Sequence, residues 1–310
     1  MICLRDAIEQ YLILRRDLGF KLKGAHYLLR DFADFMQDQA APFITTDLAL
    51  QWAMRPRSVQ SSYWAQRLMA VRCFARHHSA TDPRTQIPPL DLLRYRPRRA
   101  RPYLYTEQDI ERLMAAAKAL RPAGGLRGLT YATLLGLLSV TGLRISEALS
   151  LRLADVDCQA GLLTIRKTKF GKSRLVPLHP SARRALLRYA RQRDTYVGRL
   201  PIPRFFAAPH GMPLTAQQVG KTFRLLRHRV SLHAAAHWDE PQLHHFRHRL
   251  ATESLLRWYR AGDDVEQRLP VLSTFLGHGS IASTYWYLSS HPELMVRAMR
   301  RLEQRWEKSP

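Results

Sequence analysis

The 310-residue chain carries 49 Lys plus Arg against 25 Asp plus Glu, a net charge of +24, with 46% hydrophobic and 24% charged residues. This composition excludes the disordered and fibrous classes, the length favours two domains with separate cores, and the charge excess calls for a polyanionic partner, nucleic acid ahead of an anionic membrane. Three scattered cysteines, Cys3, Cys73 and Cys158, form neither a disulfide framework nor a zinc ribbon; with no apolar run of about 18 residues and no apolar leader, the expectation is an intracellular protein in a reducing compartment.

In residues 1–93, apolar positions recur with helical period at Ile8, Tyr11, Leu12 and Leu14, then at Leu28, Leu29, Phe32, Phe35 and Met36. Further runs over Thr46–Met54 and Trp64–Ala75 predict four or five short helices in all, with Thr45-Thr46-Asp47 as a cap. The intervening Arg and Lys residues fit either a cationic face for DNA or the solvated exterior of a bundle. Residues 94–103 then combine two prolines with Arg94, Arg96, Arg98, Arg99 and Arg101. That composition discourages regular structure and predicts a linker, either a cationic strap along a phosphate backbone or a solvated hinge.

From 104 onward, Thr106 precedes acidic residues and Ile110, Leu113 and Met114, an N-cap pattern that opens a second domain, 104–310. Tyr131–Val140 reads as a buried helix stopped at Thr141-Gly142, and a helix restarts over Arg144–Leu151. Gly161–Arg166 and Arg174–Leu178 flank a Gly-containing turn, which predicts a hairpin. Helical period resumes from Ser181. The fold class is mainly α with a small β-sheet, the second domain being α+β.

Arg144 follows a glycine stop at a helix start, where a guanidinium and free backbone N–H groups can converge on an oxyanion. Glu147, one turn on, is read as support, pairing with a cation or capping locally. His244 and Arg247 are three apart and reach one phosphate from one helical face. His244 and His248, four apart, have the spacing of a zinc pair but lack the glutamate of a metalloprotease motif, so no metal is assigned and His248 is read as a packing residue. Tyr285 and Tyr287 lie about 200° apart on a helix and cannot both face one phosphate. Two arginines, two imidazoles, a lysine and a phenol suffice to break and rejoin a phosphodiester through a covalent phosphotyrosine.

Four strings occur in order: Thr141-Gly-Leu-Arg-Ile-Ser-Glu-Ala-Leu-Ser-Leu151, Lys169-Phe-Gly-Lys-Ser-Arg-Leu-Val-Pro-Leu178, His244-His-Phe-Arg-His248 and Leu276-Gly-His-Gly-Ser-Ile-Ala-Ser-Thr-Tyr-Trp-Tyr287. Together they resemble the tyrosine recombinase, or phage integrase, family in order and spacing over residues 104–290, and the last string looks most like recombinases of transposons and related mobile elements. The resemblance implies that Arg144 and Arg247 clamp the non-bridging oxygens, His244 assists proton transfer and His278 hydrogen-bonds the transition state. The family spacing of nine residues from histidine to nucleophile selects Tyr287, leaving Tyr285 and Trp286 as packing or DNA-contact aromatics. Alignment places Lys169 as the general acid; because Thr168-Lys-Phe stands where the family commonly has Gly-Lys-Gly, Lys172 remains a competitor.

Lys172 and Arg174 join the linker arginines as candidate DNA contacts. The resemblance further implies an N-terminal core-binding (SAM-like) domain that closes with the catalytic domain as a C-shaped clamp on double-stranded DNA. It implies no metal or other cofactor, a homo-tetramer on two DNA sites with sister recombinases as further candidate partners, and a cytoplasmic, nucleoid-associated bacterial setting without membrane attachment. Leu294, Met295, Val296, Met299 and Leu302 form a tail stripe that docks either on a neighbouring protomer or on its own domain. The rival functions are a type IB topoisomerase and a non-catalytic DNA-binding protein.

Overall fold

A computed structural model of the chain describes residues 3–93, 101–166, 173–198, 203–208, 211–234, 239–288 and 291–307. The chain divides into two compact units, Met1–Arg99 and Ala100–Pro310. Among its described residues the first unit has four helices, α1 (Leu4–Asp17), α2 (Lys23–Asp38), α3 (Thr46–Met54) and α4 (Ser61–His78). Their apolar faces meet around Ile8, Leu12, Leu29, Phe32, Trp52, Val71 and Phe74, all fully buried. Each such side chain contributes about 1.5–3 kcal/mol through removal from water. The Thr45 cap is present, its hydroxyl accepting from the Leu48 N–H at 3.2 Å. Leu14 is 46% exposed, because two residues beyond buried Leu12 it lies on the opposite side of α1.

In the second unit the chain is anchored earlier than the expected linker boundary at 103. The Arg101 carbonyl accepts from Asp239 N–H at 2.9 Å, Tyr103 Oη donates to Asp109 at 2.9 Å, and Tyr105 Oη donates to the Gln242 carbonyl at 2.8 Å. Arg101 itself is exposed; Arg94, Arg96, Arg98 and Arg99 lie outside the described residues. Thr106 and Asp109 exchange bonds in a capping box that starts α5 (Glu107–Lys118). The apolar helix α6 (Leu126–Thr141) runs through the core, begins earlier than the apolar run alone indicated, and ends where Gly142 takes the left-handed conformation. Then come α7 (Ile145–Ser150), a 3-10 turn and β1 (Val156–Asp157), β2 (Leu162–Ile165) and β3 (Arg174–Pro177). The strands form an antiparallel sheet in the order β1-β2-β3, with Leu163 opposite Val176 and both turned into the core. The hairpin is the expected one; β1, only two residues long, was not legible in the sequence.

Helices α8 (Pro180–Val197), α9 (Ala216–Arg229), α10 (His245–Ala261), α11 (Val265–Leu276), α12 (Ala282–Tyr285) and α13 (Pro292–Glu307) complete the unit. One apolar cluster surrounds α6; a second joins Leu255 of α10, Leu269 and Leu276 of α11, Tyr287 and Leu294, and Phe275 packs against both. Helix α13 folds back on its own unit: Leu294 is buried, Arg260 pairs with Glu293 at 2.8 Å and Arg301 donates to the Asp263 carbonyl at 2.6 Å. Met295, Val296, Met299 and Leu302 of the expected stripe are left about half exposed. No helix among the described residues is long and apolar enough to cross a membrane.

Candidate active site

The site is assembled on the ends of helices. Gly142, at φ +58°, lets the chain reverse in a space where a Cβ would stand 2.9 Å from the Leu250 side chain. This reversal delivers Arg144 as the N-cap residue of α7. Its backbone N–H donates to Glu147 Oε2 at 3.1 Å, Nη1 to Glu147 Oε1 at 2.8 Å, and Nη2 to the Gly277 carbonyl at 3.2 Å. Glu147 is buried, which pushes its carboxyl up, but hydrogen bonding and charge from Arg174 and then Arg144 outweigh burial and hold it below the ordinary carboxylate range.

Arg247, in the first turn of α10, is 2% exposed, with Nη1 donating to the Gly142 carbonyl at 2.9 Å and Nη2 to the Leu276 carbonyl at 2.6 Å. It also hydrogen-bonds the Tyr287 hydroxyl. Burial lowers the Arg247 pKa, and facing Tyr287 draws it back. Burial raises the Tyr287 phenol, opposed by the charge and hydrogen bond of Arg247 and by Arg144, for a net upward shift. Tyr287 is 3% exposed and Tyr285 is 51% exposed, so the two phenols face opposite ways.

His278 stacks on the Tyr287 ring at 5.8 Å between centroids and 19° between planes. Its Nδ1 is held 2.7 Å from Thr284 Oγ1, which fixes the orientation of the ring. Burial, then Arg247 and Arg144, push its pKa down to about 4. His244, N-terminal to α10, is solvent-accessible, yet the protein crowded around it and the charges of Arg247 and Arg144 lower its pKa as well. His248 is buried against His244 (4.7 Å), Trp286 (4.7 Å) and Tyr287 (5.2 Å), the packing role read from sequence, and its Nδ1 finds no hydrogen-bond partner among the described residues. Among the described residues no group of three or more His, Cys, Asp or Glu side chains could hold a metal ion.

Arg144, Arg247, His244, His278 and Tyr287 are thus brought together. Lys169 and Lys172 lie outside the described residues. Arg174, expected as a DNA contact, is turned inward: its side chain is 8% exposed, with Nε donating to the Phe275 carbonyl at 2.8 Å and Nη1 and Nη2 forked on Glu147 at 3.2 and 2.9 Å. Three successive carbonyls at the end of α11, those of Phe275, Leu276 and Gly277, are therefore each taken by a different arginine: Arg174, Arg247 and Arg144. Free carbonyls at a helix C-terminus carry partial negative charge, which explains why like charges gather there. Sequence reasoning missed this gathering and missed Thr284, whose only signal was its place three residues before Tyr287.

Residues 104–293 match the phage integrase family. The putative integrase/recombinase y4rB of Sinorhizobium fredii is 50% identical to this chain over 311 residues, spanning 99% of each. Tyrosine recombinase XerD of Caulobacter vibrioides is 33% identical over 234 residues, 74% of this chain and 72% of the relative. Among solved structures, the Tn1549 transposon integrase in complex with transposon right end DNA superposes with a TM-score of 0.66 at 18% identity, covering 96% of this chain and 99% of the other. A lambda integrase dimer bound to a COC' core site gives 0.64 at 17% identity over 90% and 96% of the two chains. At these identities the structural likeness is one of fold.

Proposed function

This chain belongs to the phage integrase family, and on that premise we propose that it is a site-specific DNA recombinase of a mobile element that cuts and rejoins strands through Tyr287. The observation that carries the reading is the buried Tyr287 hydroxyl on the Arg247 guanidinium, with His278 stacked on the same ring and Arg144 tied to the carbonyl of the preceding residue, Gly277. A phenol whose pKa is raised must give up its proton as it attacks; His244, held neutral by its lowered pKa, is the acceptor. Arg144 and Arg247 hold the non-bridging oxygens as negative charge builds on the phosphorane, a role in which a single donor is worth about 10²–10³ in rate. His278 adds a hydrogen bond from Nε2. Lys169, or Lys172 in its place, protonates the departing 5′ oxygen.

The product is a 3′-phosphotyrosine and a free 5′-hydroxyl. The phosphotyrosine conserves the bond energy, so the 5′-hydroxyl of a partner strand can displace Tyr287 and restore a phosphodiester without ATP or metal. Four protomers on two sites exchange strands in pairs through a Holliday junction. The first unit serves as the core-binding domain; Arg94, Arg96, Arg98, Arg99, Arg101 and Lys172 contact phosphates, in keeping with the net charge of +24. The work is done in the bacterial cytoplasm, on nucleoid DNA, and the exposed stripe of α13 is the surface offered to a neighbouring protomer.

The test is a supercoiled plasmid carrying two copies of the element's joined ends. Deletion or inversion between the copies supports recombination. Relaxation alone, indifferent to the partner site, would indicate a type IB topoisomerase, and binding without covalent chemistry an architectural protein.

A further inference from the structure

We infer that Arg174 is a positioning residue for the catalytic arginine Arg144, a role that rests on the recombinase reading above and replaces the DNA contact expected from sequence. The geometry leaves the guanidinium no reach for a phosphate. All three of its nitrogens donate inward, to Phe275 O at 2.8 Å and to the two Glu147 oxygens at 3.2 and 2.9 Å, and its side chain is 8% exposed.

What Arg174 does is visible in how Glu147 is shared. A carboxylate offers about four lone-pair positions. Glu147 Oε1 accepts from Arg144 Nη1 at 2.8 Å and Arg174 Nη1 at 3.2 Å; Oε2 accepts from Arg174 Nη2 at 2.9 Å and the Arg144 N–H at 3.1 Å. Because Arg174 occupies half of these positions, the Arg144 guanidinium holds the carboxylate by Nη1 alone, beside the backbone N–H, and its Nη2 is directed to the Gly277 carbonyl beside His278. Without the fork of Arg174, the buried carboxylate would draw the Arg144 guanidinium into a two-toothed pair of its own and away from the reacting phosphate. Arg174 also begins β3, two residues after Lys172, so the strand that follows the two lysines in sequence is fastened to the end of α11 and to Glu147 by one side chain.

Arg174→Lys keeps the charge but supplies a point donor in place of a planar fork, and cannot span Phe275 O and both carboxylate oxygens. Three readings on the full chain separate the roles: affinity for a random duplex as a function of salt, single-turnover covalent cleavage on saturating nicked duplex from the element's ends, and the same cleavage in an Arg144→Lys background. A positioning role gives unchanged affinity and salt slope, a cleavage rate lower by about 10²-fold, the effect of an ångström-scale misplacement, and little further loss when Arg144 is already lysine. A salt slope lower by about 1 with cleavage at saturation intact would make Arg174 a phosphate contact and overturn the inference. A loss of the same factor in both backgrounds would also overturn it, since it would mean that Arg174 acts independently of Arg144. If Arg174→Lys fails to fold, Glu147→Gln carries the same expectation of slowed cleavage at unchanged salt slope, and normal cleavage by that variant overturns the inference too. Failure of the wild-type protein to cleave a bound site would instead sink the recombinase reading itself.

Discussion

Replacing Gly277 with alanine is expected to lower the stability of the second unit by about 3–5 kcal/mol, a large share of the 5–15 kcal/mol typical of a folded domain. Gly277 closes α11 at φ +70°, where an L side chain costs about 1–2 kcal/mol. A Cβ there would stand 2.5 Å from Arg174 Nη1 and 2.7 Å from its Cζ, closer than contact allows. The guanidinium cannot simply swing aside, because Phe275 and Glu147 hold it at 2.8 and 2.9 Å. Yielding breaks at least one charge-assisted hydrogen bond, worth about 1.5–3 kcal/mol. Gly262, at the end of α10, has φ +75° and nothing within 4 Å of its Cβ position, so Gly262→Ala reports the backbone strain alone. Urea denaturation of the two variants and wild type, read from the midpoint at constant slope, isolates the arginine contact as the difference between them. Equal destabilisation by both substitutions would refute the wedge between Gly277 and Arg174.

Thr284→Val, isosteric at a fully buried position, removes the 2.7 Å contact that orients His278; cleavage should slow at unchanged DNA affinity, with about 1 kcal/mol of stability lost, and an unaltered rate would show that the imidazole is oriented by other means. His245, His248 and His278 are held near 4, 3 and 4, first by burial, against about 6.5 in an unfolded chain. Between those values the unfolded state binds more protons, so the urea midpoint should fall as pH drops from about 6.5 towards 4 and be flat above that window. His248→Leu should reduce the drop between pH 7 and 5, and a wild-type midpoint constant over that range would contradict the depressed values. Leu294→Ala empties the buried anchor of α13 and, at the about 2–5 kcal/mol usual for a core leucine, should expose the 292–307 segment to trypsin; continued protection would place the anchor elsewhere.

Element boundaries were legible because local rules fix them, whereas the candidate site residues came from the four family-like strings. Gly142 stops α6, Thr106 caps α5, and the two-residue offset between Tyr285 and Tyr287 separates an exposed phenol from a buried one. The inward turn of Arg174 was not legible for a physical reason. An arginine on a strand after a lysine-rich segment reads as a phosphate contact, and what turns it inward is a carboxylate 27 residues away and a carbonyl 101 residues away. The Arg144 contact with Gly277, at a separation of 133 residues, is equally beyond any local pattern. Leu14 shows the converse, an apolar residue that helical period already placed opposite Leu12 and that stays exposed.

The most direct test is capture of the covalent intermediate on a nicked suicide duplex from the element's ends, in EDTA, resolved on a denaturing gel for wild type, Tyr287→Phe and Tyr285→Phe. The expected result is a protein–DNA adduct in wild type and Tyr285→Phe and none in Tyr287→Phe. An adduct that persists in Tyr287→Phe, or its absence from wild type on DNA shown to be bound, would contradict a phosphotyrosine mechanism centred on Tyr287.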